Sequence, residues 1–409
     1  MKINMERVKK DIENLSSFNS TPGRGVTRLS FSKEDSQARD YLKTQMIKAG
    51  LEIYEDGYGS LFGRLEGVQS GEPTVMIGSH YDTVINAGPF DGVVGVIAGI
   101  EIARVLQENN IKLNCPLEIA AFNDEEGIRF GKGISNSRAL TGDLKEEELD
   151  KRVDVSGKSL RDAMIEYGIE PDLESAKRKP GSIKSFLELH IEQGPILSKL
   201  KKQIGLVETI LGYNIMEIKF RGRSGHAGTT SMDMRNDALV VASRFVLFVN
   251  DVARKVGGGA VSTVGQMEIR PNASNVIPQY VKLTLDVRAD KQTTIDKINA
   301  LVVEELEDIG NDKGIEVEMK RTLSIPPVDM SKDNLGILIQ KSEELGLDYE
   351  IMNSGAAHDA MIMSKIAPSS LVFVPSVNGL SHHPEEWTEY DDIVKGIQLL
   401  LLTTCEICK

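Results

Sequence analysis

A chain of 409 residues exceeds one typical hydrophobic core and predicts two domains. Its 40% hydrophobic and 27% charged residues are ordinary for a globular protein, and its formal charge of −13 argues against nucleic acid or an anionic membrane as main partner. The apolar runs, Val93 to Ile100 and Ile397 to Leu402 among them, are too short to span a bilayer.

Met1-Lys2-Ile3-Asn4 begins no secretory pattern, and three cysteines fit a reducing compartment, so the expected location is the cytoplasm. Residues 5–18 read as an amphipathic helix, and Ser32 with Asp35 resembles a capping box opening a second helix that Gly50 ends. Short strands follow at 51–54 and 61–65. Thr74-Val75-Met76-Ile77 is a β-branched-rich run that reads as a buried strand, with His80 at its exit. Asp91 comes eleven residues later, just before an apolar helix over about 92–107. Leu117 to Phe122 is another strand, ending in Asn123-Asp124-Glu125-Glu126-Gly127. Residues 143–180 are highly charged and read as exposed helices and loop without chemistry. Phe186 to His190 is a strand-like run that leads into Ile191-Glu192-Gln193-Gly194-Pro195.

From 212 to 327 the order becomes strand, helix, strand, strand, helix, strand, which is ferredoxin-like. Met216, Ile218 and Phe220 alternate in its first strand; Ile295, Ile298, Leu301, Val302 and Ile309 share a face of its second helix. The expected fold class is therefore α/β: a main domain with an open mixed sheet, made of 1–211 and 328–409, and an inserted α+β domain at 212–327. After Pro327 come a helix at 333–345, a strand at 371–374, the loop Gly379-Leu380-Ser381-His382-His383-Pro384 and a last helix from Tyr390. Cys405 and Cys408 make a CxxC, but no second pair completes a zinc site and the context is not strand–helix, so no function is assigned to it.

Of six histidines, His80, His190 and the pair His382-His383 fall at strand-to-loop junctions, with Asp91 and Glu125-Glu126 at the same kind of place. The carboxyl ends of strands are where open α/β sheets bind ligands. Histidines and carboxylates without cysteine suit Zn2+ or Mn2+ in a hydrolytic site. Two ions need a bridging carboxylate, and the water they activate needs a base that is not a ligand. Glu125 and Glu126 can divide those two tasks.

The segments GSHYDTV, FDGVVGV, AFNDEEGIRF, LHIEQGPIL, SGHAGTT, RPNASNVIP, LDVRAD, SGAAHDA and FVPSVNGLSHHPEEW resemble the amidase/hydantoinase/carbamoylase branch of the M20 metallopeptidase family. That branch includes N-carbamoyl-L-amino-acid hydrolases and allantoate amidohydrolases. The match runs from about residue 78 to 387, and Gly25-Val26-Thr27-Arg28-Leu29 fits the N-terminal pattern.

The resemblance implies a metal-dependent hydrolase of ureido C–N bonds with two divalent ions per subunit, Zn2+ or Mn2+, with Co2+ and Ni2+ as alternatives. His80, Asp91 and His190 would hold one ion; Asp91, Glu126 and His382 would hold the other. Glu125 would be the general base, and Asp82 would orient the His80 ring. The inserted domain would act as lid and dimerisation domain of a homodimer, with His226 reaching the partner subunit's site to stabilise the oxyanion. Gln193, Asn275, Arg288 and Gly355, with His226, would bind a small ureido substrate carrying a carboxylate. Without the resemblance, Arg288 reads as a strand residue paired with Asp286 or Asp290, and His226 as a hairpin histidine. His358 is expected to be supporting or structural. Peptidase and aminoacylase branches use a carboxylate where this chain has His190, which favours a ureido over a peptide bond; a dipeptidase or aminoacylase on the same scaffold is the alternative. A metal-free binding scaffold is the reading from a different class, and the full ligand set disfavours it.

Overall fold

The computed structural model describes residues 1–409, apart from the side chains of residues 311–313. Two compact units divide it: Met1–Glu208 with Met330–Lys409, and Thr209–Asp329.

The first unit is built on a large mixed sheet. Across it run Glu52–Glu55, Leu61–Leu65, Leu117–Phe122, Thr74–His80, Ile183–Ile191, Ser369–Val374 and Ile204–Ile210, with Tyr349–Ser354 also paired to the last. The middle four are mutually parallel. These strands are buried along almost their whole length, as a sheet covered on both faces requires. Their parallel direction puts four carboxyl ends on one edge: His80, Phe122, Ile191 and Val374. Every strand exit singled out by its histidine or carboxylates therefore opens on the same side.

The helix Val93–Glu108 crosses from Thr74–His80 to Leu117–Phe122 and is buried from Val93 to Leu106. Its apolar side chains form one core with the sheet and with Val8, Ile12, Leu42, Leu338, Ile397 and Leu400 from other helices. Each such side chain contributes roughly 2–3 kcal/mol when fully buried. Gly92 caps the helix at φ 67°, and a Cβ there would stand 2.5 Å from the His80 ring, so only glycine lets the helix begin against that imidazole.

The second unit has a four-stranded antiparallel sheet in the order Glu316–Ile325, Gly212–Arg221, Tyr280–Ala289, Val261–Arg270. Alternation of Met216, Ile218 and Phe220 with Val281, Leu283 and Leu285 makes one apolar face. Ala238–Val256 and Gln292–Lys313 cover it through Val241, Phe245, Val249, Ile298 and Val302.

Several expectations need correction. Residues 143–180 are not simply an exposed charged stretch. Helices Glu146–Lys151, Leu160–Glu166 and Leu173–Ala176 enclose a satellite core of Phe31, Tyr58, Phe130, Leu149, Leu160 and Met164. The charge run hid it because only one residue in three or four points inward. The capping box is half formed: Ser32 accepts from the Asp35 N–H at 3.2 Å, but Asp35 reaches back to the Phe31 N–H. Cys408 is bonded to Cys115, 293 positions away, and Cys405 is free. This runs against the expectation of reduced thiols, which local CxxC spacing could not reveal. Strands Ile204–Ile210 and Tyr349–Ser354 were not foreseen.

Candidate metal centre

His80 ends its strand with its ring buried. Its Nδ1 lies 3.0 Å from the carbonyl oxygen of Asp82. A carbonyl can only accept, so Nδ1 carries the proton and Nε2 keeps its lone pair. Asp82 thus meets the ring through its backbone carbonyl, and its carboxylate stands 3.6 Å from the same nitrogen. That carboxylate instead accepts the N–H groups of Glu125 at 3.0 Å and Glu126 at 3.1 Å, fixing the turn that carries both. His190 is oriented likewise, with Nδ1 2.9 Å from the Ile191 carbonyl.

Asp91 is the meeting point. One carboxylate oxygen lies 3.2 Å from His190 Nε2 and the other 3.0 Å from His382 Nε2. Glu126 Oε1 is 3.4 Å from the same His382 nitrogen. Two sets of three donors result, each with all its ligand atoms within 4.8 Å of one another: His80, Asp91, His190 and Asp91, Glu126, His382. Glu125 belongs to neither; its Oε2 is 3.9 Å from His80 Nε2. It does fall within a further group with His80 and Glu126. Gln193 donates its amide to Asp91 at 3.2 and 3.3 Å and to Ser381 Oγ at 3.2 Å.

The electrostatics fit cations. Burial, together with the like charges of Glu126 and Asp359, pushes the Glu125 carboxyl well up. Burial and Asp91 push Glu126 up to about 8. The hydrogen bond to Asp91 and the nearby Glu126 raise His382 to about 9. Burial alone would lower His80, but Glu125, Asp82 and Asp91 raise it well above its usual value. Carboxyls pushed up beside imidazoles that are raised mark a crowding of negative charge that a divalent ion would neutralise. Glu126 Oε1 is buried without a hydrogen-bond partner, which is costly unless a cation faces it. The residues present therefore fit two divalent ions sharing Asp91.

Side chains that sequence reasoning passed over hold this arrangement. Glu386, buried, accepts from the Phe90 and Asp91 N–H groups at 3.1 and 3.2 Å and from Ser381 Oγ at 3.0 Å. Arg152 reaches in from the satellite core to Asp124 at 3.1 Å and Ser135 at 2.9 Å. Glu188 shares a face of its strand with His190 and accepts from Ser79 at 2.7 Å and the Ala360 N–H at 2.8 Å. Its place two residues before His190, in an otherwise apolar run, was the available signal. His358 packs edge-on against the His190 ring, centroids 4.4 Å apart, in keeping with a supporting role. Arg28 donates to the Tyr81 and Leu15 carbonyls, both at 2.7 Å, and so pins the loop after His80.

Of the expected substrate contacts, Gln193 lies among the clusters and Gly355 follows the strand Tyr349–Ser354. His226, Asn275 and Arg288 belong to the second unit. There His226 bridges to Val276, and the Ala227 N–H donates to the Asn275 carbonyl at 2.9 Å, so the two exposed segments run side by side. His226 Nδ1 accepts from Gly228 and Thr229 at 3.0 and 3.2 Å, which leaves the proton on Nε2. Arg288 is paired with Asp286 at 2.8 Å, as its plain strand reading anticipated.

The sequence matches the profile of Peptidase family M20/M25/M40 over residues 76–405. It is 38% identical over 405 residues to an N-carbamoyl-L-amino-acid amidohydrolase of Paenarthrobacter aurescens, covering 98% of this chain and 97% of that one. It is 36% identical to a ureidoglycolate hydrolase of Arabidopsis thaliana (98% and 86% covered) and 33% identical to the allantoate amidohydrolase of Escherichia coli K12 (97% and 96%). The fold matches a crystal structure of an amidase of the hydantoinase/carbamoylase family from Burkholderia multivorans with a TM-score of 0.94 at 32% identity, covering 100% of this chain and 99% of that one. The chain belongs to peptidase family M20/M25/M40, a family of metal-dependent enzymes.

Proposed function

We propose that this family member is a metal-dependent amidohydrolase that cleaves a ureido or carbamoyl C–N bond, releasing ammonia and carbon dioxide. The observation that carries the reading is the carboxylate of Asp91, shared between two buried His and carboxylate clusters beside an uncommitted Glu125. The relatives named above supply the substrate class: N-carbamoyl-L-amino acids, allantoate or ureidoglycolate. His190 in the third ligand position favours this class over peptides.

His80, Asp91 and His190 would hold one divalent ion, and Asp91, Glu126 and His382 the other. Zn2+ or Mn2+ suits these donors, with Co2+ and Ni2+ as alternatives. Such a pair, when bound, acidifies a water and polarises the scissile carbonyl. Glu125 takes the proton of the attacking water and passes it to the leaving nitrogen. Burial pushes its carboxyl up and so makes it a stronger base than an ordinary carboxylate, as a group that takes and passes on a proton requires. Gln193 hydrogen-bonds the ureido group, and Gly355 adds backbone contact.

The second unit serves as a ferredoxin-like lid and dimerisation domain. His226 of a second copy donates from Nε2 to the oxyanion; Asn275 and Arg288 take the substrate carboxylate, with Arg288 exchanging Asp286 for it. The cytoplasm is the proposed location. Among the described residues no helix is long and apolar enough to cross a membrane, and the Cys115–Cys408 bond is the one feature pulling the other way.

The chemistry is tested by ammonia release over a panel of ureido compounds and dipeptides. The shared site is tested by mixing. Inactive His226→Ala and inactive Glu125→Gln chains, combined under conditions of demonstrated subunit exchange, should recover about a quarter of wild-type activity, since half the dimers are mixed and each holds one intact site. No recovery would count against His226 acting across subunits.

A further inference from the structure

The second cluster already faces a positively polarised group. The amide nitrogen of Gln193 lies 3.2 and 3.3 Å from the two Asp91 oxygens and 3.3 Å from His382 Nε2. These are two of the three donors of the Asp91, Glu126, His382 set. An amide nitrogen has hydrogens and no lone pair to give, so it cannot join a cation's ligands. It competes for the same oxygens instead.

The amide is also held there. Its remaining hydrogen points to Ser381 Oγ at 3.2 Å, Ser381 donates to Glu386 at 3.0 Å, and Glu386 accepts the Asp91 N–H at 3.2 Å. This closes a ring of hydrogen bonds from the Asp91 carboxylate back to the Asp91 backbone. Gln193 and His382 both sit in the left-handed region, at φ 57° and 55°, where non-glycine residues are held only by their surroundings. The first cluster differs. His80, Asp91 and His190 have side chains 3%, 2% and 1% exposed, whereas His382 is 47% exposed. The same amide touches the first cluster only through the Asp91 oxygen that faces His190, at 3.2 Å, and His190 Nε2 accepts the fixed backbone N–H of Gly92 at 3.2 Å.

We propose that Gln193 gates the second cation: its amide must leave the Asp91, Glu126, His382 cluster before an ion binds there, and once displaced it is free to meet the ureido group. This rests on the two-ion reading above and adds an order of assembly: first ion, second ion, then substrate. Loading is then stepwise, with the buried cluster filling at lower metal concentration.

The test needs no turnover. Mn2+ is titrated into metal-stripped wild type, Gln193→Ala and Gln193→Met, with free Mn2+ followed by its EPR signal. Methionine keeps the side-chain bulk but not the donor. Removing one hydrogen bond to a charged group corresponds to about tenfold in affinity. Both variants should therefore bind the second Mn2+ about tenfold more tightly, a larger gain than at the first cluster, which the amide touches through one Asp91 oxygen only. In a variant whose circular dichroism matches wild type, unchanged or weaker second-ion binding overturns the proposal. If wild type takes up one ion only, even at saturating Mn2+, the two-ion reading fails with it; if it takes up two and the variants do not differ, the gate alone fails.

Discussion

Glu125→Gln should keep two ions per chain and lose turnover by about 10²–10⁴-fold, the range that general acid–base catalysis contributes. The substitution preserves shape and the backbone N–H that donates to Asp82 at 3.0 Å. It removes only the ability to take a proton. Glu126, not Glu125, completes the cluster with Asp91 and His382, so metal content measured by plasma emission should not move. If an ion is lost with Glu125→Gln, the residue is a ligand, as its place beside His80 and Glu126 allows, and the base must be sought elsewhere.

Asp91→Ala should have the broadest effect of any single substitution. Its two oxygens face different histidines, 3.2 and 3.0 Å away, so both clusters lose a donor together. Metal content should fall from about two ions to below one, with turnover undetectable. His190→Ala, which touches one cluster, should lose one ion. The carboxyl of Asp91 is held well below the usual range: burial works against this, but the neighbouring His190, His382 and His80 outweigh it. Removing that charge leaves His190 and His382 without their partner, so some loss of thermal stability should accompany the loss of metal. Retention of one tightly held ion in Asp91→Ala would show that the two clusters do not depend on a shared carboxylate.

Much of the clustering of these side chains was legible because parallel strands translate sequence into position. A polar residue ending an apolar run must emerge at the sheet's carboxyl edge, and His80, Glu125-Glu126 and His190 each do. The resemblance then chose between His382 and His383; the structure has His382 Nε2 on Asp91, while His383 accepts from its own loop at Glu385 N–H. What stayed hidden were long-range pairings. Glu386 reaches Asp91 across almost 300 residues, Arg152 reaches Asp124 from a stretch that looked merely charged, and Cys408 joins Cys115. Sequence periodicity carries no information on such partners, because it reports which way a side chain faces and not what it meets. Asp82 shows the finer limit: its neighbourhood was foreseen, but the choice between carbonyl and carboxylate depends on the turn's geometry.

Ammonia release, measured on N-carbamoyl-L-amino acids, allantoate, ureidoglycolate, ureidopropionate and dipeptides before and after chelation, tests the central claim most directly. The expected result is ammonia from at least one ureido compound, abolished by the chelator and restored by Mn2+ or Zn2+, with the dipeptides intact. Cleavage of dipeptides with every ureido compound untouched, or ammonia release that survives complete removal of metal, would contradict it.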